Sequence, residues 1–155
     1  MKTLNYYIFE KLIINKDTKV KMYNYHPKDK NELSSLIKEL LKERGKNADL
    51  NDIDTSKITD MSHLFEKLNP HKIDISEWNV SNVRDMRFMF YYCKNFNSDL
   101  SEWDISKVKN MTFMFDGCKK FDFDLSKWNV NNSVEKEYMF DNCDSLKNKP
   151  SWYNE

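Results

Sequence analysis

Between residues 74 and 98 the apolar side chains fall into two rhythms. Ile75, Trp78, Val80 and Val83 come first, and Trp78-Asn79-Val80-Ser81 alternates apolar and polar as a short strand does. Met86, Met89, Phe90 and Cys93 then follow at i, i+3, i+4 and i+7, the stripe of an amphipathic helix. Phe96 closes the segment, and Asn95-Phe96-Asn97-Ser98-Asp99 reads as a turn. The pattern predicts a strand, a tight corner, a helix of two to three turns, and a turn. A helix that short is marginal alone in water, so its stripe has to dock on neighbours.

The neighbours are copies of the same pattern. Trp78, Trp103 and Trp128 are 25 residues apart, and so are Phe65, Phe90, Phe115 and Phe140. Met89, Met114 and Met139 keep that step with Leu64 in register, as do Cys93, Cys118 and Cys143 with Leu68. Asp49, Asp74, Asp99 and Asp124 each open a unit and are followed by Leu50, Ile75, Leu100 and Leu125. Four units result: 49–73, 74–98, 99–123 and 124–148. A fixed period of this length is the signature of a stacked array in which each unit buries its apolar face on the next. Stacking predicts internal columns of Trp78, Trp103 and Trp128 and of Phe65, Phe90, Phe115 and Phe140, each ring burying ~150–250 Å².

An array needs ends. Residues 1–48 read as an N-terminal cap. Leu33, Leu36, Ile37, Leu40 and Leu41 form the stripe of a helix from about Glu32 to Arg44, with Asp29 or Asn31 as N-cap and Gly45 as its stop. Ahead of it, segments 4–14 and 19–25 flank Asn15-Lys16-Asp17-Thr18 as a hairpin would, although residues 5–14 are apolar on both faces and also fit a helix. At the other end the repeat decays. Ser133 stands in the register of Val83 and Val108, Lys136 in that of Met86 and Met111, and residues 149–155 read as a C-terminal cap with Tyr153 in the register of Trp128.

The string W-[ND]-[VI]-S-x-V-x-x-M-x-x-M-F-x-x-C-x-x-F, together with apolar residues at the first, fourth and sixth positions after each unit's aspartate (Ile75, Trp78, Val80), resembles the BspA-type leucine-rich repeat. That family occurs in bacterial surface proteins, mycoplasma lipoproteins and mobile-element proteins. The resemblance covers residues 49–148 and implies an α/β fold, a right-handed leucine-rich-repeat-like solenoid of four 25-residue strand–helix units behind the hairpin-plus-helix cap. It also implies an interaction role. Val83 and Val108 stand where the ordinary leucine-rich ladder has asparagine. No secretion or lipid signal of the kind surface members carry is evident near Met1, which favours a cytoplasmic protein of a bacterium or of a phage-infected host cell.

Composition narrows the chemistry. The chain has two glycines and one alanine, so Gly-rich nucleotide loops are excluded. Lys+Arg and Asp+Glu are equal at 25 each, yet residues 1–48 carry 11 basic and 6 acidic side chains while the remainder carries 14 and 19. That polarity points to two different surfaces. No apolar run approaches the ~20 residues that span a bilayer.

The three cysteines lie a full unit apart, unlike the close pairs of metal sites. Their register, shared with Leu68, fits buried thiols better than a disulfide between adjacent units or a metal. His26, His63 and His71 show no ligand or triad spacing, and the four aspartates that open the units read as turn caps. No catalytic residue, metal or cofactor is expected. The outward strand positions are the candidate binding face: Asp52, Asp54, Glu77, Asn79, Glu102, Asp104 and Asn129. The expectation is a monomeric, non-catalytic protein-interaction module that contacts neither membrane nor nucleic acid. A second reading, a phage or mobile-element inhibitor of a host defence nuclease, has the acidic strip occlude the groove of a basic nucleic-acid-binding partner. An adhesin fragment is the least favoured.

Overall fold

The computed structural model of the chain describes residues 21–153, so the hairpin or helix expected over residues 4–14, and its turn, lie outside the described residues. The first element is helix α1, Lys30–Arg44. Asp29 caps it, its carboxylate accepting from the N–H groups of Asn31 and Glu32, and Gly45 ends it at φ 82° with its N–H on the Leu41 carbonyl. Leu33, Ile37 and Leu40 are buried in the same core as the repeats. Arg44, in the last turn, reaches both carboxylate oxygens of Asp52 at 3.0 Å and the Asp49 carbonyl at 2.9 Å, which ties the cap to the first unit.

After α1 the described residues contain no further helix, and the helix expected in each unit is not formed. Residues 85–93, and their counterparts in the other units, are runs of turns. The apolar stripe is nonetheless buried: Met86, Met89, Phe90 and Cys93 are all fully enclosed. What differs is the direction of the N–H groups. In an α-helix every N–H closes on its own segment. Here alternate N–H groups leave the segment. Met86, Phe88, Phe90 and Tyr92 donate to the carbonyls of Asn110, Thr112, Met114 and Asp116 in the next unit, at 2.8–3.0 Å. The N–H groups between them close local turns, as Met89 does on Met86 and Cys93 on Phe90.

Spacing explains the choice. Phe65, Phe90, Phe115 and Phe140 stack with centroids 5.2, 5.5 and 5.7 Å apart. That is close to the distance between hydrogen-bonded strands, whereas packed helices need 8–10 Å. Units this close leave no room for a helix on the phenylalanine side. Isolated parallel bridges mark the same registration, linking Asp60 to Asp85, Asp85 to Asn110, Asn110 to Glu135, and Asp49 to Asp74. The turn runs require residues 63, 88, 113 and 138 to adopt φ of 56–60°, and residues 67, 92, 117 and 142 to adopt φ of 54–77°. Only Gly117 does so freely. It also has to be small, since a Cβ there would sit 3.1 Å from the Tyr92 ring of the preceding unit.

Two side-chain columns use one device. Each turn carbonyl accepts a local N–H and then a second donor from the following unit, 28 residues on. Trp78, Trp103 and Trp128 donate their indole N–H to the carbonyls of Leu50, Ile75 and Leu100 at 2.9–3.1 Å. Cys93, Cys118 and Cys143 donate their thiols to the carbonyls of Phe65, Phe90 and Phe115 at 3.0–3.1 Å. The first unit has no predecessor of this kind, and hydrocarbons, Ile53 and Leu68, hold the two registers there.

The end of the array departs from the expected register in two places. Val134, not Ser133, occupies the buried position of Val108, because the turn closes from Val134 to Asn131, one residue later than in the third unit. Tyr153 keeps the backbone register of Trp128, its N–H closing on Pro150. The indole role passes instead to Trp152, which donates to the Leu125 carbonyl at 2.9 Å and stacks on Trp128 at 6.2 Å. Its longer ring reaches the carbonyl that a phenol in the next position would miss.

Two outcomes follow for stability. Trp103→Phe removes one cross-unit bond but keeps a ring, and is expected to cost about 1 kcal/mol in chemical denaturation, whereas Phe115→Ala should cost ~3–5 kcal/mol. A Trp103→Phe midpoint equal to wild type would show the indole bond to be inert. The second outcome concerns pH. Burial pushes the thiols of Cys93 and Cys143 up to about 12, and that of Cys118 further in the same direction. A raised acid is held protonated by the fold, so its contribution is complete below the unfolded value of ~8.5 and is lost as pH climbs toward 12. Denaturation midpoints should therefore fall from about pH 9 upward, and fall less steeply in the triple variant Cys93→Ala, Cys118→Ala, Cys143→Ala. Parallel curves for the two proteins would count against the assignment.

Candidate functional site

The outward positions singled out in the sequence are spread over all four rungs and lie mostly in pairs. Asp52 is bound by Arg44 and by Asn24 at 2.8 Å, and the Arg44 guanidinium holds its carboxyl below the ordinary range. Partial burial pushes Asp54 up, but the Ser56 hydroxyl and N–H and the His26 ring outweigh it and leave the carboxyl lowered. Glu77 pairs with Lys21 at 2.6 Å and Glu102 with Lys127 at 2.6 Å. Asp54, Asn79 and Asp104 accept from the N–H two residues ahead (Ser56, Ser81 and Ser106), so they cap turns. Asn129 is exposed, and the corresponding cap in its unit is Asn131 on Ser133. The strip is therefore less negative than its composition suggests, because cations from the cap segment and from the fourth unit cover it.

The aspartates that open the units also act as caps. Asp49, Asp74, Asp99 and Asp124 accept from the N–H of Asn51, Ser76, Ser101 and Ser126 at 2.8–3.1 Å. Among the described residues no group of three His, Cys, Asp or Glu side chains is placed to hold a metal ion, and no helix is long and apolar enough to cross a membrane. The internal columns occupy the core: Trp78, Trp103 and Trp128 are buried, as are Phe65, Phe90, Phe115 and Phe140.

A second outward feature is aromatic. His63, Phe88, Phe113 and Tyr138 stack in sequence with centroids 4.8, 4.9 and 4.9 Å apart and planes within 17° of parallel. Tyr91 meets Phe88 edge-on at 5.2 Å and touches Tyr92 at 4.6 Å. The four ladder rings and Tyr92 stand on positive-φ positions of the turn runs, which rotates them outward while the two residues after Phe88, Met89 and Phe90, point inward. Phe88 and Phe113 are half-buried, whereas Tyr92 is 44% and Tyr138 56% exposed. The sequence did carry a signal for this ladder, since residues 63, 88, 113 and 138 are all planar rings at the repeat interval. Helical reasoning hid it, because it places that position on the solvated side of the stripe.

The ladder also engages charge. His63 meets Glu66 at 2.7 Å, and the imidazole keeps that carboxyl below its ordinary range. His26 lies beside Asp54, and His71 sits half-buried in the register of Phe96. None of the three is near another in a catalytic arrangement.

No curated protein and no solved structure matches the chain. A family described as Mycoplasma protein of unknown function, DUF285, matches residues 32–153, which takes in most of α1, all four units and the end of the array. With most of its length inside that match, the chain belongs to the DUF285 family.

Proposed function

We propose that this chain is a non-catalytic protein-interaction module, built as a leucine-rich-repeat-like solenoid of the BspA type and right-handed as parallel crossovers are. The observation that carries the reading is the aromatic ladder on its outside. A monomer has no need to hold Tyr92 and Tyr138 in water, and the left-handed backbone that aims the ladder's rings outward is costly for residues with a side chain. Exposed aromatic side chains on a rigid support are the usual anchors of protein interfaces, since they bury large area with little loss of side-chain freedom. The support here is rigid, because Phe88 and Phe113 each lie between two stacked rings and donate their N–H groups to the next unit.

The test compares two surfaces on immobilised protein. Phe88→Ser with Tyr92→Ser should reduce retention of the bound protein at least ~10-fold, equivalent to ~1.4 kcal/mol. Glu77→Lys with Asp104→Lys, on the strip, should have a smaller and salt-dependent effect. Both variants must keep the cooperative unfolding of the parent. Full retention of the same protein by both would sink the proposal.

A further inference from the structure

Within the turn runs the backbone hydrogen bonds between units run one way, although bonds outside them, such as Arg84 to Thr59 and Lys109 to Arg84, run back. Met61, His63, Phe65 and Lys67 donate to Asp85, Arg87, Met89 and Tyr91; the second unit repeats this toward the third; and Met111, Phe113, Phe115 and Gly117 donate to Glu135, Glu137, Met139 and Asp141 at 2.7–3.0 Å. The fourth unit offers the same four N–H groups, on Lys136, Tyr138, Phe140 and Asn142, and among the described residues none of them has an acceptor. The intervening N–H groups of Met139, Asp141 and Cys143 are used in local turns. The array thus ends on a row of donors at alternate residues. Trp152 and Tyr153 pack on the Phe140 ring, 6.1 and 5.1 Å away, and so cover the inner part of this rung. Tyr138 and Asn142 are exposed, and Tyr138 is the last ring of the outer ladder.

We infer that this edge is a docking site for an extended peptide segment of a protein partner, which adds itself as a fifth rung. The inference deepens the protein-binding reading and rests on it, but it uses the edge of the array, which shares Tyr138 with the ladder and none of the residues substituted above. The geometry specifies the occupant. Four carbonyls at alternate residues must meet the four donors, as in strand addition to a sheet edge. The preceding rungs give the register: the residue just after the carbonyl that accepts from Phe113 is Tyr138, whose ring stacks on Phe113. A partner segment therefore carries an aromatic residue directly after the carbonyl that meets the Tyr138 N–H. Glu135, Glu137 and Asp141 lie on this rung, so a neutral or basic segment fits and a free anion does not.

A second copy of the chain is excluded on the same grounds. Two such edges would oppose donor to donor. The complementary acceptor end, in the first unit, is closed by α1, whose Lys30 reaches Asp60 and Ser62.

The probe is an acetylated and amidated peptide of residues 110–117 carrying Asp116→Asn, which is uncharged and contains four acceptor carbonyls and a ring in register. Amide hydrogen exchange of the full chain is followed by NMR. In the free protein the amides of residues 136, 138 and 142 should exchange fast, and those of 111, 113, 115 and 117 slowly. Saturating peptide should slow exchange at 136, 138, 140 and 142 at least ~10-fold, and the peptide with Phe113→Ala should bind at least ~10-fold more weakly. Four outcomes overturn the inference: edge amides as protected as interior ones without peptide, no binding up to about 1 mM, binding that protects other amides, or protection that grows with protein concentration alone. Failure here with an intact effect of Phe88→Ser and Tyr92→Ser on protein retention leaves the protein-binding reading standing. Loss of that effect with normal peptide docking removes the broader reading and keeps the edge.

Discussion

The structure depends on a backbone N–H that leaves its own segment. Once Met86, Phe88, Phe90 and Tyr92 donate forward to the next unit, a helix is impossible there, the units must lie at strand distance, and every side chain acquires a twin about 5 Å away. The identities of the repeated residues follow from that closeness. Flat rings stack face to face at 5.2–5.7 Å, which a branched aliphatic column would fill less completely. The turn carbonyls have lone pairs to spare, and Trp and Cys supply donors that reach them from the following unit. A buried carbonyl with an unmet lone pair costs little beside an unmet N–H, so these bonds refine the register set by the ladder.

Much of this was legible in the chain. The period and the buried columns follow from residue spacing, because burial repeats wherever the backbone repeats, and the Gly45 stop and one of the two candidate caps, Asp29, follow from residue type. The backbone conformation between the columns was not legible. Met86, Met89, Phe90 and Cys93 form the same i, i+3, i+4, i+7 stripe whether they sit on a helix or on a run of tight turns. Periodicity reports which side chains go inward and is silent on where the N–H groups point. The two conformations place the intervening residues differently, and for that reason the column of His63, Phe88, Phe113 and Tyr138 escaped notice. The register at the end failed for a related reason. Counting by 25 puts Tyr153 on Trp128, while the demand of the Leu125 carbonyl for a long-armed donor selects Trp152.

Charge took its meaning from contacts as well. Summed along the chain, the outward strand positions look acidic. In space Arg44, His26, Lys21 and Lys127 stand on them, and the asparagine and aspartate side chains between are occupied in turns. The polarity of the chain, basic in residues 1–48 and acidic after, is accordingly used inside the molecule at Arg44–Asp52 and Lys30–Asp60, where the cap is fastened to the first unit.

Within the turn runs the ladder is one-way and therefore polar, and its two ends there cannot be closed by the same kind of cap. Aligned N–H and C=O dipoles leave partial negative charge where carbonyls are unmet and partial positive charge where N–H groups are unmet, as at the two termini of a helix. The carbonyl end needs cations and cover. It has α1 with Lys30 set over Asp60 and Ser62, and Arg44 on the Asp49 carbonyl. The N–H end is favoured by nearby carboxylates, and the last unit carries Glu135, Glu137, Asp141 and Asp144 there. Carboxylates stabilise a row of donors electrostatically without hydrogen-bonding it, so the positive end is tolerated in water and stays available. The same asymmetry that makes a helical cap at one end sufficient to stop growth makes the other end receptive to one more rung.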